Sequence, residues 1–418
     1  MSSFIDVAIV GAGPNGLSLA AHLAALGVEF RIFGKPMELW RERMPPGMKL
    51  KSDGKSSNLA DPHDELKLGS FCAQEHIPYD DEQIPIKLAT FIRYGMEFQR
   101  RFVPQLEERM LTALDTTGDG FVLRLNDGEI VVARRVVLAI GISHFTYVPE
   151  FLRHLPDEFV THSSRYGPID RFRGEEVVVL GAGASALDLA GLLKDGGSDV
   201  SVLARRNSIA FLAPPGARSL VRRLRSPDSG MGSGWQLFIF GYEPRVFHAL
   251  PENIRRHKAQ TMLGPSTGWF MRASIVGEVP IETGVKPTHA EVKRGRVHIQ
   301  ATGRDGSARE IVTPHVISAT GYRVDMRRLG FLSPDMLGRM KMIDYAPVLS
   351  SRFETSIPGL YVVGFAAVND FGPIVRFVLG ARYQARRLSH FLAESSASRG
   401  AVPLASPARS AATHQRSN

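Results

Sequence analysis

Three glycines near the start of the chain form the first pattern with a chemical meaning. Gly11, Gly13 and Gly16 stand in "VAIVGAGPNGLSLA", between a short apolar run and a helical pattern. In such a turn the first glycine permits a tight bend and the second lets the backbone approach a pyrophosphate. The third lets the helix pack closely on the strand. Because the helix then directs free N–H groups at the anion, the pattern predicts a dinucleotide site.

A second cluster of the same kind is "VVVLGAGASALDLA", in which Gly181, Gly183 and Ala186 take the same spacing. The next apolar run, "VSVLARR", ends without a carboxylate, and Arg205 and Arg206 follow at once. Arginine pairs with a 2′-phosphate that an acid would repel, so we predict NADPH here; the alternative is that both arginines are merely solvated. The predicted NADPH residues are Gly181, Gly183, Ser185, Ala186, Arg205, Arg206, Thr320 and Gly321.

The strand after the first glycine cluster lacks the acid that usually holds a ribose. The stretch "FRIFGK" ends this strand, and the expected carboxylate position is Gly34, followed by Lys35. One ribose contact among many does not decide the binding of so long a cofactor. We therefore predict that backbone N–H groups, Lys35 or water replace the carboxylate, and that the cofactor stays bound after Gly34→Glu.

Two dinucleotide sites in one chain need different ligands, and we assign FAD to the first. A helix expected to begin near Gly372 would direct its N-terminus at the flavin. The predicted FAD residues are Gly11, Gly13, Pro14, Asn15, Gly16, Gly34, Lys35, Trp40, Lys51, Ser52, Gly141, Gly364, Phe365 and Gly372.

The elements around these clusters repeat once along the chain and predict an α/β protein with two Rossmann-like domains. Each unit has a strand, glycine turn, helix and strand, and later a hairpin (121–141 and 297–321) that leads to a buried strand ending in glycine. A last strand (359–364) precedes a helix over roughly 372–394. We predict an FAD domain over 1–165 and 325–394, an NADPH domain over 166–324 and a disordered tail over 395–418. Within the NADPH domain, 207–285 is an insertion that covers the cleft or, alternatively, only decorates the surface.

Composition limits the remaining possibilities. The formal net charge is +9, but no nucleic-acid module accompanies it, so we expect solvated arginines and phosphate contacts instead. A single cysteine, Cys72, excludes an intramolecular disulfide and a CxxC redox pair. We find no signal peptide, membrane span or metal-ligand pattern, and we expect a cytoplasmic protein that acts on a small molecule, with O₂ and without nucleic acid; a homo-oligomer is compatible with the sequence.

The motifs resemble those of the class B flavin-dependent monooxygenases. "GAGPNG", "GAGASA" and "SATGY" (318–322) occur in the order of that family over about 1–394, and the stretches at 44–52 and 84–108 are most similar to its ornithine and lysine N-hydroxylases. The resemblance implies an NADPH- and FAD-dependent enzyme that reacts with O₂. It would oxygenate a small nucleophile, preferably at nitrogen or sulfur, through a C4a-hydroperoxyflavin.

Departures from the family's motifs narrow the chemistry. In "PDEFVTHSSRY" His162 is kept, but Pro156 and Glu158 replace the phenylalanine and glycine of the Baeyer–Villiger fingerprint, which favours N- or S-oxygenation. The catalytic candidates are Asn58, His162 and Tyr322. The alternatives are a turn residue for Asn58 and, for His162, a hydrogen bond between domains.

Two other functions stay open on the sequence alone. One is an NADPH-dependent flavin reductase that acts on a quinone or similar acceptor without oxygenation. The other is a flavin-binding protein without turnover. Tyr322 and the aromatic insertion indicate a closed site that excludes water, which favours the oxygenase.

Overall fold

The computed structural model describes residues 3–118, 120–216 and 220–400. The strands in chain order are β1 (Ser3–Val10), β2 (Phe30–Phe33), β3 (Leu111–Thr117), β4 (Gly120–Leu125), β5 (Ile130–Leu138), β6 (Val160–His162), β7 (Glu176–Leu180), β8 (Asp199–Ala204), β9 (Ile281–Thr283), β10 (Lys286–Lys293), β11 (Arg296–Thr302), β12 (Ala308–Thr313), β13 (His315–Ser318), β14 (Met342–Ile343), β15 (Ala346–Pro347) and β16 (Leu360–Val362).

The helices lie between these strands, with short 3-10 turns among them. They are α1 (Pro14–Ala25), α2 (Glu38–Glu42), α3 (Leu68–Gln74), α4 (Leu88–Phe102), α5 (Glu150–Arg153), α6 (Ala184–Asp195), α7 (Leu220–Arg225), α8 (Trp235–Tyr242), α9 (Pro244–His248), α10 (Glu252–Thr261), α11 (Arg272–Ile275), α12 (Pro334–Arg339), α13 (Val368–Phe371) and α14 (Gly380–Gly400). In the described residues no helix is both long and apolar enough to cross a membrane.

The first sheet has the strand order β2-β1-β5-β4-β3 and gains the late strand β16. Strands β1, β2, β5 and β16 are parallel, whereas β3 and β4 are antiparallel. Strand β5 is long enough to pair with β4 through its first half and with β16 through Val136–Leu138. The sequence predicted a separate strand after the hairpin. Instead, β5 forms both the second arm of the hairpin and the buried parallel strand, since Val136–Leu138 is fully buried between its neighbours β1 and β16.

The second sheet is wholly parallel, with the order β6-β13-β7-β8-β9. Its central strand β7 is the buried apolar run before the second glycine cluster. Strands β10, β11 and β12 form a separate antiparallel sheet beside it. The two parallel sheets confirm the predicted α/β fold class. The domain boundaries stay a prediction, although β6 already lies in the second sheet before residue 165.

The C-terminal part of the chain differs from the prediction in two places. The helix expected over 372–394 is interrupted, because a 3-10 turn at Pro373–Arg376 precedes α14. Residues up to Gly400 continue α14, so disorder does not begin at residue 395. Two contacts fix the end of α14 against the first sheet. The buried Arg135 donates to the Leu392 carbonyl and pairs with Asp6, and the Ser396 hydroxyl donates to the same Asp6 carboxylate. The rest of the predicted tail lies outside the described residues.

Candidate functional site

The first glycine turn forms a cradle that only glycine permits at two positions. Gly11 has a φ of +113°, and a Cβ there would lie 2.3 Å from the carbonyl oxygen of Ala139. A Cβ on Gly16 would lie 1.9 Å from the Gly11 oxygen. Gly13, the N-cap of α1, faces open space, and no side chain among the described residues caps the helix. The helix therefore leaves its first N–H groups for an anion, as a pyrophosphate site requires.

A cavity opens at this cradle, and most of the predicted FAD residues line it. They are Gly11, Gly13, Pro14, Asn15, Gly34, Lys35, Trp40 and Gly141. Gly16 is buried beneath the turn as a packing residue. The cavity walls also include Glu38, Arg109, Ala139 and Phe331, none of which is among the predicted FAD residues. The residues present thus fit the adenosine diphosphate part of FAD.

Gly34 is required for close backbone approach. Its φ is +136°, its N–H donates to the Glu107 carbonyl at 3.0 Å, and a Cβ would lie 3.2 Å from the Ala12 nitrogen. Glutamate would be strained at this φ, and the expectation that FAD stays bound after Gly34→Glu stays a prediction. Lys35 is half-exposed and pairs with Glu42 at 3.1 Å. The cavity does hold a carboxylate, Glu38, at 3.2 Å from the Arg43 guanidinium.

The late strand β16 returns the chain to the first cradle. Gly364, with a φ of +79°, donates its N–H to the Gln384 side chain at 2.6 Å, and the Gln384 amide donates to Asn15 Oδ1 at 3.0 Å. Gln384 thus joins the end of β16 to the first glycine turn. Gly372 lies farther along, where a Cβ would be 3.0 Å from the ring of Phe247.

The second glycine turn repeats the first cradle. Gly181 has a φ of +151°, and its Cβ would lie 2.4 Å from the Ala319 oxygen. Gly183 is the N-cap of α6, Ala186 is buried, and Ser185 is exposed in the first helical turn. A Cβ on Gly183 would lie 3.3 Å from Pro265, so here the inserted segment covers the turn. The geometry fits a nicotinamide dinucleotide whose diphosphate passes beside that segment.

The two predicted NADPH arginines follow β8. Both are exposed, and the Arg206 guanidinium donates to the Pro265 carbonyl at 3.3 Å. Arg205 therefore has its charge available to a 2′-phosphate, and Arg206 links that position to the segment over Gly183.

An aromatic junction of Phe145, His162, Tyr322 and Phe365 lies where the chain passes between the sheets. The Tyr322 ring packs edge-on against His162 at 5.2 Å and against Phe365 at 6.4 Å, while Phe365 lies 6.1 Å from Phe145. Thr320 donates to the Tyr147 carbonyl, and Tyr147 N–H donates to the Gly321 carbonyl at 2.9 Å. The segment that leads from the first sheet to β6 and the segment that follows β13 are thus hydrogen-bonded to each other.

His162 has no ring nitrogen left for acid–base chemistry. Its Nε2 lies 3.0 Å from the Gly321 carbonyl, which can only accept, so Nε2 carries the proton. Nδ1 then accepts from the Ser164 hydroxyl at 2.9 Å. Burial lowers the pKa of His162 to about 4, so the ring is neutral near pH 7. Because β6 and β13 are neighbours in the second sheet, this bond lies within the second unit and gives His162 a structural role there, not the predicted bond between domains.

Asn58 is also fully engaged in local structure. Its amide donates to the Lys55 carbonyl at 2.9 Å, and its Oδ1 accepts the Leu68 N–H at 2.7 Å. Asn58 therefore caps the start of α3 and holds a turn, the alternative role that the sequence left open. The Tyr322 hydroxyl has a pKa raised by burial, so it stays protonated as a potential hydrogen-bond donor.

A group of buried charges lies between the two halves of the chain. Burial lowers the pKa of Lys51, helped by the positive charge of Arg376, whereas nearby Asp188 acts in the opposite sense. Burial raises the pKa of Asp188 on α6 to about 6, although the hydroxyl of Thr267 donates to its carboxylate. Arg376 donates to the Leu263 carbonyl at 2.7 Å. Lys51 thus lies between the predicted flavin and nicotinamide elements, and does not line the first cavity.

Ser52 is placed by its own loop, since its hydroxyl lies 2.8 Å from that of Ser57.

The insertion over 207–285 packs against this loop and against the segment after β16. Lys55 pairs with Asp228 at 2.6 Å, and Arg255 with the buried Asp370 at 3.1 Å. Phe240 and Phe247 of the insertion belong to the core of the first unit. These contacts favour an insertion that shapes the cleft over a surface decoration.

Comparison with known proteins gives the class of this fold and site. The sequence profile of the pyridine nucleotide-disulphide oxidoreductases matches residues 5–225. Indole-3-pyruvate monooxygenase YUCCA1 of Oryza sativa subsp. japonica is 30% identical over 398 residues, which cover 85% of this chain and 86% of the relative. The chain belongs to the pyridine nucleotide-disulphide oxidoreductase family and, within it, to the class B flavin-dependent monooxygenases.

Solved structures agree with this fold. An ornithine N-hydroxylase of Kutzneria sp. 744, solved with reduced FAD, NADP⁺ and L-ornithine, has a TM-score of 0.73 at 16% identity and covers 94% of this chain and 100% of its own. The ferredoxin–NADP reductase of Streptococcus pyogenes serotype M28 is 28% identical over 214 residues, which are 49% of this chain and 55% of the reductase. The predicted family, fold class and enzyme class are confirmed, and FAD with NADPH agrees with the neighbour's cofactors.

Proposed function

We propose that this enzyme binds FAD at the first cradle and NADPH at the second, and inserts one oxygen atom of O₂ into a small nucleophile. The observation that carries the proposal is the pair of matching glycine cradles, whose closing strands β5 and β13 lead into one aromatic junction. For an amine the balance is R₂NH + O₂ + NADPH + H⁺ → R₂N–OH + NADP⁺ + H₂O. Bound FAD would supply the redox chemistry, for which the family resemblance implies the C4a-hydroperoxyflavin route.

The chain's own residues bind, orient and exclude water. The N-termini of α1 and α6 would hold the two diphosphates, and Arg205 would hold the 2′-phosphate. The rings of Phe145, Tyr322 and Phe365 would keep water away from the reacting atoms. Exclusion of water would prevent the activated oxygen from being lost as H₂O₂ before it reaches the substrate. The neutral His162 fixes the Gly321 turn, and we assign it no proton transfer.

Rapid mixing of NADPH-reduced enzyme with O₂ tests this function. We expect a transient absorbance that belongs to neither oxidised nor reduced flavin, and a product that carries one heavy-isotope oxygen atom from labelled O₂. Amines, sulfides and 2-oxo acids should be screened together, because N- and S-oxygenation are favoured by the sequence, while the YUCCA1 relative is named for a 2-oxo acid. Immediate flavin reoxidation with stoichiometric H₂O₂, for every substrate class, would contradict the proposal.

The aromatic junction gives this test a matched pair of variants. Phe365→Ala removes a ring from the junction, and Tyr345→Ala removes a ring that is 49% exposed elsewhere. Phe365→Ala should raise the fraction of NADPH oxidised with H₂O₂ release by about tenfold, the scale of a single misplaced or hydrated active-site group. Tyr345→Ala should leave that fraction unchanged.

A reductase without oxygenation is the second candidate, favoured by the match of about half the chain to a ferredoxin–NADP reductase. In that case NADPH oxidation would follow the concentration of a quinone or dye and would proceed equally well without O₂. The predicted cytoplasmic location and homo-oligomerisation stay predictions.

A further inference from the structure

A cavity of about 710 Å³ lies outside both glycine cradles, and its chemistry is unlike theirs. One wall is α14, and the others come from the segment that joins α8 to α9 and from Arg352. None of its lining residues belongs to the predicted FAD or NADPH sets. The cavity is therefore a separate feature of the molecule, of a size that suits a ligand as large as a nucleotide.

Positive charge dominates this cavity. Its lining includes the arginines Arg245, Arg352, Arg382, Arg386 and Arg387, against the carboxylates Glu243 and Glu394. Arg382 and Arg386 are four residues apart on α14, so their like charges lie on one helix face, while Arg387 lies on the adjoining row, four residues after Tyr383. A like-charge pair at this spacing slightly disfavours a helix unless an anion compensates it.

Of the five arginines, Arg386 and Arg387 have neither an ion pair nor an aromatic partner in the described part of the chain, whereas Arg352 lies 4.4 Å from the ring centroid of Phe391. Arg245 pairs with Glu243 at 3.0 Å, and Arg382 pairs with Asp64 at 2.7 Å. Within the part of the chain that the structure describes, Arg386 and Arg387 make no side-chain hydrogen bond or ion pair. Both are exposed towards the cavity, so their guanidinium groups are available to a ligand.

A buried hydroxyl at the same cavity also lacks a partner. The Oη atom of Tyr383 is inaccessible to solvent and has no hydrogen-bond partner among the described residues, although Tyr383 lines the cavity. A buried hydroxyl without a partner is costly. A small rotation of the Tyr383 side chain towards the cavity would expose this hydroxyl, which could then donate to a ligand oxygen placed beside Arg387.

We propose that this cavity binds a phosphate-bearing ligand, with its anionic oxygens on Arg386 and Arg387 and a hydrogen bond from the Tyr383 hydroxyl. Arginine is the residue best suited to bidentate phosphate contacts. The rings of Tyr242 and Phe391, on opposite walls, provide apolar surface for the organic part of the ligand. The phosphate belongs either to a small soluble ester or to the headgroup of an anionic lipid, since both present the same group.

Two probes distinguish these sources. Full-length, FAD-loaded protein is titrated with inositol hexakisphosphate, and separately with phosphatidylcholine vesicles with and without phosphatidic acid. Saturable binding of the soluble probe alone assigns the site to a soluble ester, whereas binding only to phosphatidic acid vesicles assigns it to a lipid headgroup. If the wild-type protein binds neither probe, the proposal is wrong.

Matched variants connect any binding to the cavity. Arg386→Gln plus Arg387→Gln should weaken binding by at least about tenfold, and Tyr383→Phe by about threefold, from the lost charged and neutral hydrogen bonds. Arg153→Gln plus Arg173→Gln removes the same charge from residues whose side chains are 59% and 70% exposed elsewhere. Equal losses in both double variants would show unspecific charge attraction and would overturn the proposal. Unchanged FAD content in all variants verifies that the protein is folded, and saturating NADPH should not compete with the probe.

Discussion

The two glycine cradles are built alike, and the residues around them differ. A Cβ on Gly11 would meet the Ala139 oxygen at 2.3 Å, and one on Gly181 would meet the Ala319 oxygen at 2.4 Å. In both units the backbone just after the closing strand, β5 or β13, therefore lies too close to the first glycine for any side chain there. This shared contact specifies a dinucleotide, and it cannot by itself distinguish FAD from NADPH.

The two units differ in the residues that follow the second strand and in what covers the N-terminus of the glycine-turn helix. Gly13 faces open space, whereas Gly183 is covered by Pro265. The first unit continues past its second strand with Lys35, which is paired with Glu42; the second continues with the exposed Arg205. Selectivity thus resides in side chains that the shared backbone presents, and each of the following variants examines one such position.

The largest effect is expected from alanine at the first glycine of each turn. Both positions have positive φ, which alone costs about 1–3 kcal/mol in addition to the contact with the closing strand. Gly11→Ala should abolish FAD retention, measured as flavin per polypeptide after gel filtration. Gly181→Ala should retain FAD and weaken NADPH binding by at least about tenfold. Equal loss of FAD in the two variants would refute separate sites.

The next effect concerns the 2′-phosphate. Arg205→Ala plus Arg206→Ala should raise the KM for NADPH by about 10- to 100-fold, because charged hydrogen bonds are lost, and should change the KM for NADH much less. Lys35→Ala is the matched control, since Lys35 occupies the position of Arg205 in the first unit. Steady-state kinetics with both nucleotides would contradict the assignment if the two KM values rose together.

A smaller effect is expected at the end of the second strand. Gly34→Ala should lower the free energy of unfolding by about 1–2 kcal/mol, because alanine is strained at a φ of +136° and its Cβ would crowd the Ala12 nitrogen. Urea unfolding followed by flavin fluorescence measures this. The corresponding position in the second unit is already alanine, Ala204, which is fully buried. Unchanged stability of Gly34→Ala would mean that the turn relaxes without cost.

The effect that is smallest at neutral pH is a pH dependence at the junction, which develops only on acidification. The pKa of His162 is about 4 in the folded protein, below its ordinary value of 6.5, so protonation favours the unfolded state. Stability should fall as pH decreases from 6.5 towards 4, by up to about 1.4 kcal/mol per pH unit from this residue, and should be constant above that window. His162→Gln should reduce the slope of melting temperature against pH, whereas His63→Gln, at an exposed histidine, should not. Parallel slopes in the two variants would exclude His162 as the source.

Much of the fold could be predicted because its signals are local. The buried runs, glycine turns and helices of both units are continuous in sequence, and the repetition of one pattern identified the second unit. The return of β16 to β5 and the pairing of β6 with β13 depend on contacts between distant segments. The break at Phe377 between the 3-10 turn and α14 also has no pattern of its own.

The glycine cradles could likewise be predicted, but their polar surroundings could not. Gln384, which links Gly364 to Asn15, lies on a helix whose packing only the structure reveals. Ala139 had a usable signal, since the ends of the two closing strands, "LAIG" and "SATG", are similar in sequence. For Asn58 the sequence left two roles open, because a side-chain amide in a turn has the same sequence appearance as one that faces a ligand.

The return of β16 has a consequence for how the enzyme is made. The first sheet and the first cradle are completed only by β16, Gly364 and Gln384, which follow the whole second unit in the chain. During translation the second unit therefore emerges and can fold while the first is still unfinished. Flavin loading would then be a late event that reports the arrival of α14, so a ribosome stalled before Gln384 should carry a nascent chain that does not retain the flavin.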